Sequence, residues 1–162
     1  MRMVSNTSPI IGLAKIGRIS LLKSIAEEVL IPPLVYRELL GKIGSESDQI
    51  DRALNDFIRI MDLMPLEIAT ENAVADLDEG EKQAVALAAT MKENVLLLLD
   101  DRAGRQVAEK LNIPTTGLLG ILLLAKEKGL VGNVVPLIEE LRDNGYWLSD
   151  EVIDVARRLA GE

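Results

Sequence analysis

Four acidic or near-acidic spots stand where apolar runs give way to polar chain: Asn6 in Val4-Ser5-Asn6-Thr7-Ser8-Pro9, Glu38 in Tyr36-Arg37-Glu38-Leu39, Glu81 in Gly80-Glu81, and the pair Asp100-Asp101. All of them offer hard oxygen donors. An open α/β sheet collects its strand ends on one edge, so ligands scattered like this can converge there on a divalent cation. The remaining chemistry is narrow, because the chain has neither Cys nor His. Thiolates, imidazole bases, disulfides and the usual zinc sites are excluded. Carboxylates, amides, hydroxyls, Lys and Arg remain. Hydrolysis stays open to such a set, since a bound cation acidifies water without any histidine.

Each spot also has a purely structural explanation. Glu81 would sit in a first helical turn, where the helix dipole stabilises a negative charge by about 0.3 to 1 kcal/mol. Asp100 or Asp101 could cap the helix that follows. Glu38, beside Arg37, could be an ordinary exposed charge. Asn6 is harder to dismiss, because Ser8 is expected to supply the cap of the next helix. What favours a joint role is the placement of these spots after the first strand, after the second strand, before the central strand and at its end.

The elements that must position them follow from periodicity. Short apolar runs alternate with longer helical patterns, as in a parallel sheet covered by helices. Strands are expected over Arg2 to Ser5, Glu28 to Ile31, Phe57 to Met61 at an edge, Val95 to Leu99 and Pro114 to Gly117. Val95 to Leu99 has no alternation, which is how a strand buried on both faces reads. Helices are expected from Ser8 as N-cap with Pro9 first, through to Gly17, and then over Ile19 to Ile25, Leu34 to Leu40, Gln49 to Asp56, Ile68 to Asp76, Glu81 to Lys92 and Asp101 to Leu111. Leu118 to Lys128, apolar nearly all round, predicts a buried helix or a subunit contact. Two further helices are expected near Pro136 to Asp143 and Ser149 to Leu159, and Gly41 to Asp48 reads as a mobile loop.

Composition agrees with a single domain over residues 1–162. Hydrophobic residues make up 48% of the 162, enough for a proper core. Lys and Arg number 18 against 26 Asp and Glu, a formal charge of −8, which argues against broad adhesion to nucleic acid or anionic membrane. Any RNA contact has to use local cations, and Arg37, Lys42, Lys82, Arg102 and Arg105 are the ones near the acidic spots. Arg102 and Arg105 would share a helix face, flanking the carboxylates and meeting phosphates, or simply pairing with Asp101 and Glu109. The N-terminal Met-Arg-Met-Val-Ser-Asn turns polar too early for a secretory segment. The apolar stretch from Leu118 to Ala125 falls short of the roughly 18 residues that span a bilayer. A cytoplasmic location with no membrane partner is the expectation.

The ordered motifs Ser5-Asn6-Thr7-Ser8-Pro9, Ile31-Pro32-Pro33-Leu34-Val35-Tyr36-Arg37-Glu38, Gly80-Glu81, Asp100-Asp101-Arg102-Ala103-Gly104-Arg105 and Gly117-Leu118-Leu119-Gly120 resemble a PIN domain, specifically the VapC-like toxin ribonuclease branch. The resemblance covers most of the chain, and the last two helices add little to it. It implies a three-layer α/β/α sandwich around a central parallel sheet of four to five strands. It further implies a Mg2+- or Mn2+-dependent endoribonuclease that hydrolyses RNA phosphodiester bonds as the toxin of a toxin-antitoxin pair. Carried over position by position, Asn6, Glu38, Glu81 and Asp101 take the catalytic places. Asn6, Glu81, Asp101 and the adjacent Asp100 would hold the metal, while Thr7, Ser8, Arg102 and Arg105 would meet substrate. The implied partners are RNA, a small antitoxin that puts an Arg or Lys among the carboxylates, and a second copy of the chain.

Asn6 departs from the pattern, since most PIN nucleases have Asp there. An amide offers one neutral oxygen in place of a carboxylate, so metal affinity and activity should be weakened. Two other readings follow. One is a catalytically decayed PIN-like protein acting as a binding or regulatory oligomer, with Ile10-Ile11, Leu118 to Leu124 and Leu34 to Leu40 as its surfaces. The other takes Ser5-Asn6-Thr7-Ser8 as a phosphate-binding turn of a flavodoxin-like nucleotide binder, against which stand a loop without glycine and a chain poor in aromatics.

Overall fold

The computed structural model describes residues 1–42, 44–91 and 93–162. In chain order the elements are β1 (Arg2–Ser5), α1 (Thr7–Lys15), α2 (Ser20–Ile25), β2 (Glu28–Ile31), α3 (Pro33–Leu40), α4 (Ser45–Leu54) and β3 (Ile58–Ile60). They continue with α5 (Ile68–Val74), α6 (Glu79–Met91), β4 (Val95–Leu98), α7 (Arg102–Lys110), β5 (Thr115–Thr116), α8 (Leu118–Glu127), α9 (Val135–Asp143) and α10 (Asp150–Ala160). The strands form one parallel sheet in the order β3-β2-β1-β4-β5. Chain order runs outward one way from β1 through β2 to β3, then restarts on the other side with β4, so the sheet reverses direction between β1 and β4. Among the described residues no helix is long and apolar enough to cross a membrane.

Both sheet faces are covered, which is why the inner strands read as unbroken apolar runs. Met3, Val29, Ile31 and Leu98 face a core shared with α1, α3, α8, α9 and α10. Val4, Leu30, Leu97 and Leu99 face a second core built with α5, α6 and α7. The result is the three-layer α/β/α sandwich expected from the sequence.

Several local expectations need correction. Helix α1 starts at Thr7 with Asn6, not Ser8, in the cap position. Pro9 falls within the first turn, where its missing N–H has no intrahelical partner to lose. Gly41 to Asp48 is not one loop, because α4 begins at Ser45, with position 43 outside the described residues. Glu46 and Asp48 suit the first turn of α4, and the Ser47 hydroxyl donates to the Gly44 carbonyl at 2.9 Å, so polar residues that read as a linker form a helix start. Gly44 turns the chain there at φ 132°, a left-handed value that favours glycine. Helix α6 begins two residues before Glu81 and is described to Met91, position 92 lying outside the described residues. Ile10 is fully buried and offers no interaction surface.

One contact anchors the last helices to the rest. The Glu162 carboxylate accepts from the backbone N–H groups of Val134 (2.7 Å) and Val135 (3.0 Å) and from Lys126 Nζ (2.8 Å). Lys126 and these N–H groups hold its pKa down from 4.5 to about 2. A depressed carboxyl contributes stability above the ordinary value, and that contribution fades as pH falls toward about 2. Glu162→Gln is therefore expected to lower the thermal midpoint at neutral pH, with the gap to wild type closing in acid. A gap independent of pH in melts across that window would refute the linkage.

Candidate functional site

The site is assembled where the sheet changes direction. The Asn6 N–H donates to the Leu98 carbonyl at 3.1 Å, tying the end of β1 to the end of β4. The buried Ser5 hydroxyl donates to the Asn6 carbonyl at 2.9 Å and fixes the turn into α1. Crevices beyond the carboxyl ends of strands at such a reversal are where open α/β sheets bind ligands.

Although Asn6 occupies the cap position, its side chain makes no capping hydrogen bond. It is turned toward Gly80 instead, where Glu38 meets it. A Cβ built on Gly80 would lie 3.5 Å from Asn6 Oδ1 and 3.4 Å from Glu38 Oε1, so a methyl there would occupy the space both oxygens face. An oxygen from the end of β1 and one from α3 thus converge on the first turn of α6.

Glu81, half-buried in that same turn, completes the convergence. Its pKa is raised chiefly by burial. A hydrogen bond to its own backbone opposes the shift, and the negative charges of Asp101, Asp78 and Glu38 push it further up. Crowded like charges cost stability, and a buried carboxyl perturbed by them in a cleft is a candidate functional group.

Asn6, Thr7, Ser8, Glu38 and Glu81 line one open cleft of about 630 Å³, with Tyr146 on its wall and Lys15 and Lys42 beside them. Thr7 Oγ1 is buried there without a hydrogen-bond partner among the described residues, an unusual state for a buried polar atom.

The remaining expected residues lie outside this cleft lining. Asp101 caps α7, its Oδ2 accepting from the Gly104 N–H at 2.7 Å. Its charge still reaches Glu81. Asp100 is more fully engaged: Oδ1 accepts from the Leu118 N–H at 2.9 Å and Oδ2 from the Tyr146 hydroxyl. A Cβ on Gly117 would stand 2.6 Å from Asp100 Oδ1, so glycine is what admits this carboxylate to the start of α8. Arg105 Nη1 lies on the same side, 3.3 Å from that Cβ position, and Arg102 is exposed. Neither arginine forms an ion pair with Asp101 or Glu109 among the described residues.

The sequence reading missed Lys15 and Tyr146. Lys15 was findable, since Ser8, Ile11 and Lys15 recur at helical spacing on the face of α1 that lines the cleft. Tyr146 carried no local signal, because it reaches the site from the loop between α9 and α10. Burial first, then the Asp100 charge and the hydrogen bond to it, raise the Tyr146 pKa, while a hydrogen bond with Ser8 opposes them. Tyr146→Phe would leave Asp100 Oδ2 without this donor. It is expected to destabilise the protein by about 1 to 3 kcal/mol in urea melts, and an unchanged midpoint would mean that water replaces the hydroxyl at no cost.

Among the described residues, no three carboxylates are grouped so as to enclose an ion by themselves. Mg2+ asks for less, since it binds through one or two carboxylates and keeps several waters. The all-oxygen donor set, the space over Gly80 and the orphaned Thr7 hydroxyl fit a hard cation, with Asn6, Glu38 and Glu81 as the residues that would hold it. The sequence model of one protein family, described as PIN domain, matches residues 2–162. Among curated proteins no sequence matches this chain.

Proposed function

The chain belongs to the PIN-domain family, and from that premise we propose that it is a metal-dependent endoribonuclease whose active cleft is the one containing Asn6, Glu38 and Glu81. The observation that carries this reading is the convergence of Asn6 Oδ1 and Glu38 Oε1 over Gly80 beside Glu81, in one cleft at the carboxyl edge of the sheet; burial first, and then the charges of Asp101, Asp78 and Glu38, raise the Glu81 pKa there. Bound Mg2+ or Mn2+ would supply acidified water and positive charge against the attacked phosphate.

The chain's own residues would do the rest. Glu38 and Glu81 provide the anionic oxygens, and Asn6 a neutral one. Asp101 adds charge from the N-terminus of α7, and Asp100 orients the start of α8 through Leu118. The Lys15 and Lys42 ammonium groups offer donors to phosphate oxygens along the cleft, while the Ser8 hydroxyl is held by Tyr146. The chain has few aromatics to stack bases, so cleavage should show little base preference. A toxin role would add a small antitoxin that seats an Arg or Lys among these carboxylates. The neutral Asn6 and the absence of a closed set of three carboxylates among the described residues favour one second reading, a decayed nuclease that binds without cutting.

Cleavage of mixed labelled RNA in Mg2+ and then Mn2+ tests the proposal, with Asp101→Asn beside wild type. Asn caps a helix about as well as Asp, so this variant removes charge and leaves α7 intact. Activity is expected to fall about 10- to 100-fold. Folded wild type that cuts nothing in either metal would shift the reading to binding.

A further inference from the structure

The loop between α9 and α10 presents the chain's single tryptophan to solvent. Trp147 is 84% exposed, more than any other large apolar side chain among the described residues. The two residues before it, Gly145 and Tyr146, line the cleft that holds Asn6, Glu38 and Glu81, which puts Trp147 on the rim. A lone surface leucine needs no explanation. An indole ring is different, because it carries one of the largest apolar surfaces of any side chain, and this one is held in place.

The loop is braced on both sides of the ring. Lys15 Nζ donates to the Asn144 carbonyl at 3.3 Å, the Tyr146 N–H to the Leu141 carbonyl at 3.0 Å, and the Tyr146 hydroxyl to Asp100 Oδ2. The Ser8 hydroxyl bonds that of Tyr146. A Cβ built on Gly12 would stand 3.1 Å from Tyr146 Cε2, so glycine is what lets this ring lie against α1. Arg142 and Asp150 pair across the two ends of the loop at 2.7 Å. A ligand that covers Trp147 therefore has little chain to order, which is the advantage of a preorganised contact.

The surroundings indicate the ligand. The cations lining the cleft are Lys15 and Lys42, set against Glu38, Asp78, Glu79 and Glu81 in a chain of net charge −8. Phosphate contacts alone give a nucleic acid little affinity under those conditions. A base stacked on an indole adds affinity without any charge, and every base has a face to offer. The base must be unpaired, since a duplex keeps its faces inside the stack. A protein partner would call for an apolar face around the ring, but the loop surrounds it with Asn144, Gly145, Ser149 and Asp150. Trp147 also stands outside the lining of the apolar groove between α8 and α10.

We propose that Trp147 is a stacking platform for an unpaired base flanking the phosphate held in the cleft, which makes single-stranded RNA the ligand class. The proposal rests on the nuclease reading for what the cleft holds, and binding measured without cleavage separates the two.

Because Trp147 is the only tryptophan, its fluorescence reports this one position. Titration of the full chain with oligouridylate and oligoadenylate, in chelator and in Ca2+, is expected to quench it saturably with both oligomers, and a duplex of the same length should quench it far less. Trp147→Ala should weaken binding of labelled oligouridylate, followed by anisotropy, by about 10-fold or more, whereas Trp147→Phe should retain most of it. An unaltered thermal midpoint of both variants would show that the loss is not one of folding. Saturable quenching by a chain that cuts nothing in Mg2+ or Mn2+ supports the platform and overturns the nuclease reading alone. Cleavage without quenching, and with Trp147→Ala binding as wild type does, overturns the platform and leaves the nuclease reading standing. A chain that binds neither oligomer in either condition overturns the platform too, and leaves Trp147 to a protein partner.

Discussion

Glu81→Gln is expected to abolish metal-dependent RNA cleavage and, with chelator present, to raise the thermal midpoint at neutral pH. Both effects come from the same carboxylate. Burial and the charges of Asp101, Asp78 and Glu38 lift its pKa above the ordinary 4.5. The folded chain then holds this proton more tightly than the unfolded one. Below 4.5 the group is neutral in both states and the fold suffers no penalty; as pH rises through the elevated folded value, stability is lost. Gln has the same shape and no charge, so the stabilisation of the variant over wild type should open as pH rises from acid to neutral. Cleavage should fall by on the order of 100-fold or more, as when a preorganised electrostatic group is removed. Paired melts in chelator across that pH range, with cleavage assays alongside, measure both. A midpoint gap that ignores pH would sink the account of crowding at Glu81, whatever the activity does.

How far the sequence disclosed this arrangement depended on how local each signal was. Strands β1, β2 and β4 were legible because burial on both faces leaves short unbroken runs such as Val95-Leu96-Leu97-Leu98, which a covered parallel sheet explains. Asn6, Glu38 and Glu81 were legible as a group because each follows or precedes a strand at the carboxyl edge. Helix α4 was misread because Gly44-Ser45-Glu46-Ser47-Asp48 has the composition of a linker, and only the packing of Ile50 and Ala53 beyond it settles the helix. The position of Asn6 was also misjudged: Ser8 looked like the cap, yet the chain enters α1 one residue after Asn6 and leaves its amide facing Gly80. The role of Asp100 was out of reach, since its partners Leu118 and Tyr146 lie 18 and 46 residues along the chain. No periodicity links positions so far apart.

Asn6→Asp should change stability with opposite signs in the two metal conditions: a lower thermal midpoint in chelator and a higher one in Mn2+. Asn6 is buried, and its Oδ1 faces Glu38 Oε1 over Gly80. A second negative charge there would repel Glu38 by about 2 kcal/mol at an effective dielectric near 20. Exposure of Glu38 to solvent reduces that figure. The Glu81 pKa, already raised by burial and by its acidic neighbours, would be pushed higher still. A bound cation reverses the balance, because the same carboxylate becomes an anionic ligand in place of a neutral amide. If affinity for Mn2+ rises about 100-fold, the added stabilisation is about 2.7 kcal/mol at saturating metal, more than the repulsion it has to offset. Cleavage should rise in parallel. Melts of wild type and variant in chelator and across a Mn2+ titration decide the point. A variant destabilised equally in both conditions would remove Asn6 from any cation site and favour the binding-only reading. The expected pair of signs, lower in chelator and higher in Mn2+, would mean that the native amide keeps the metal-free fold stable at the expense of metal affinity.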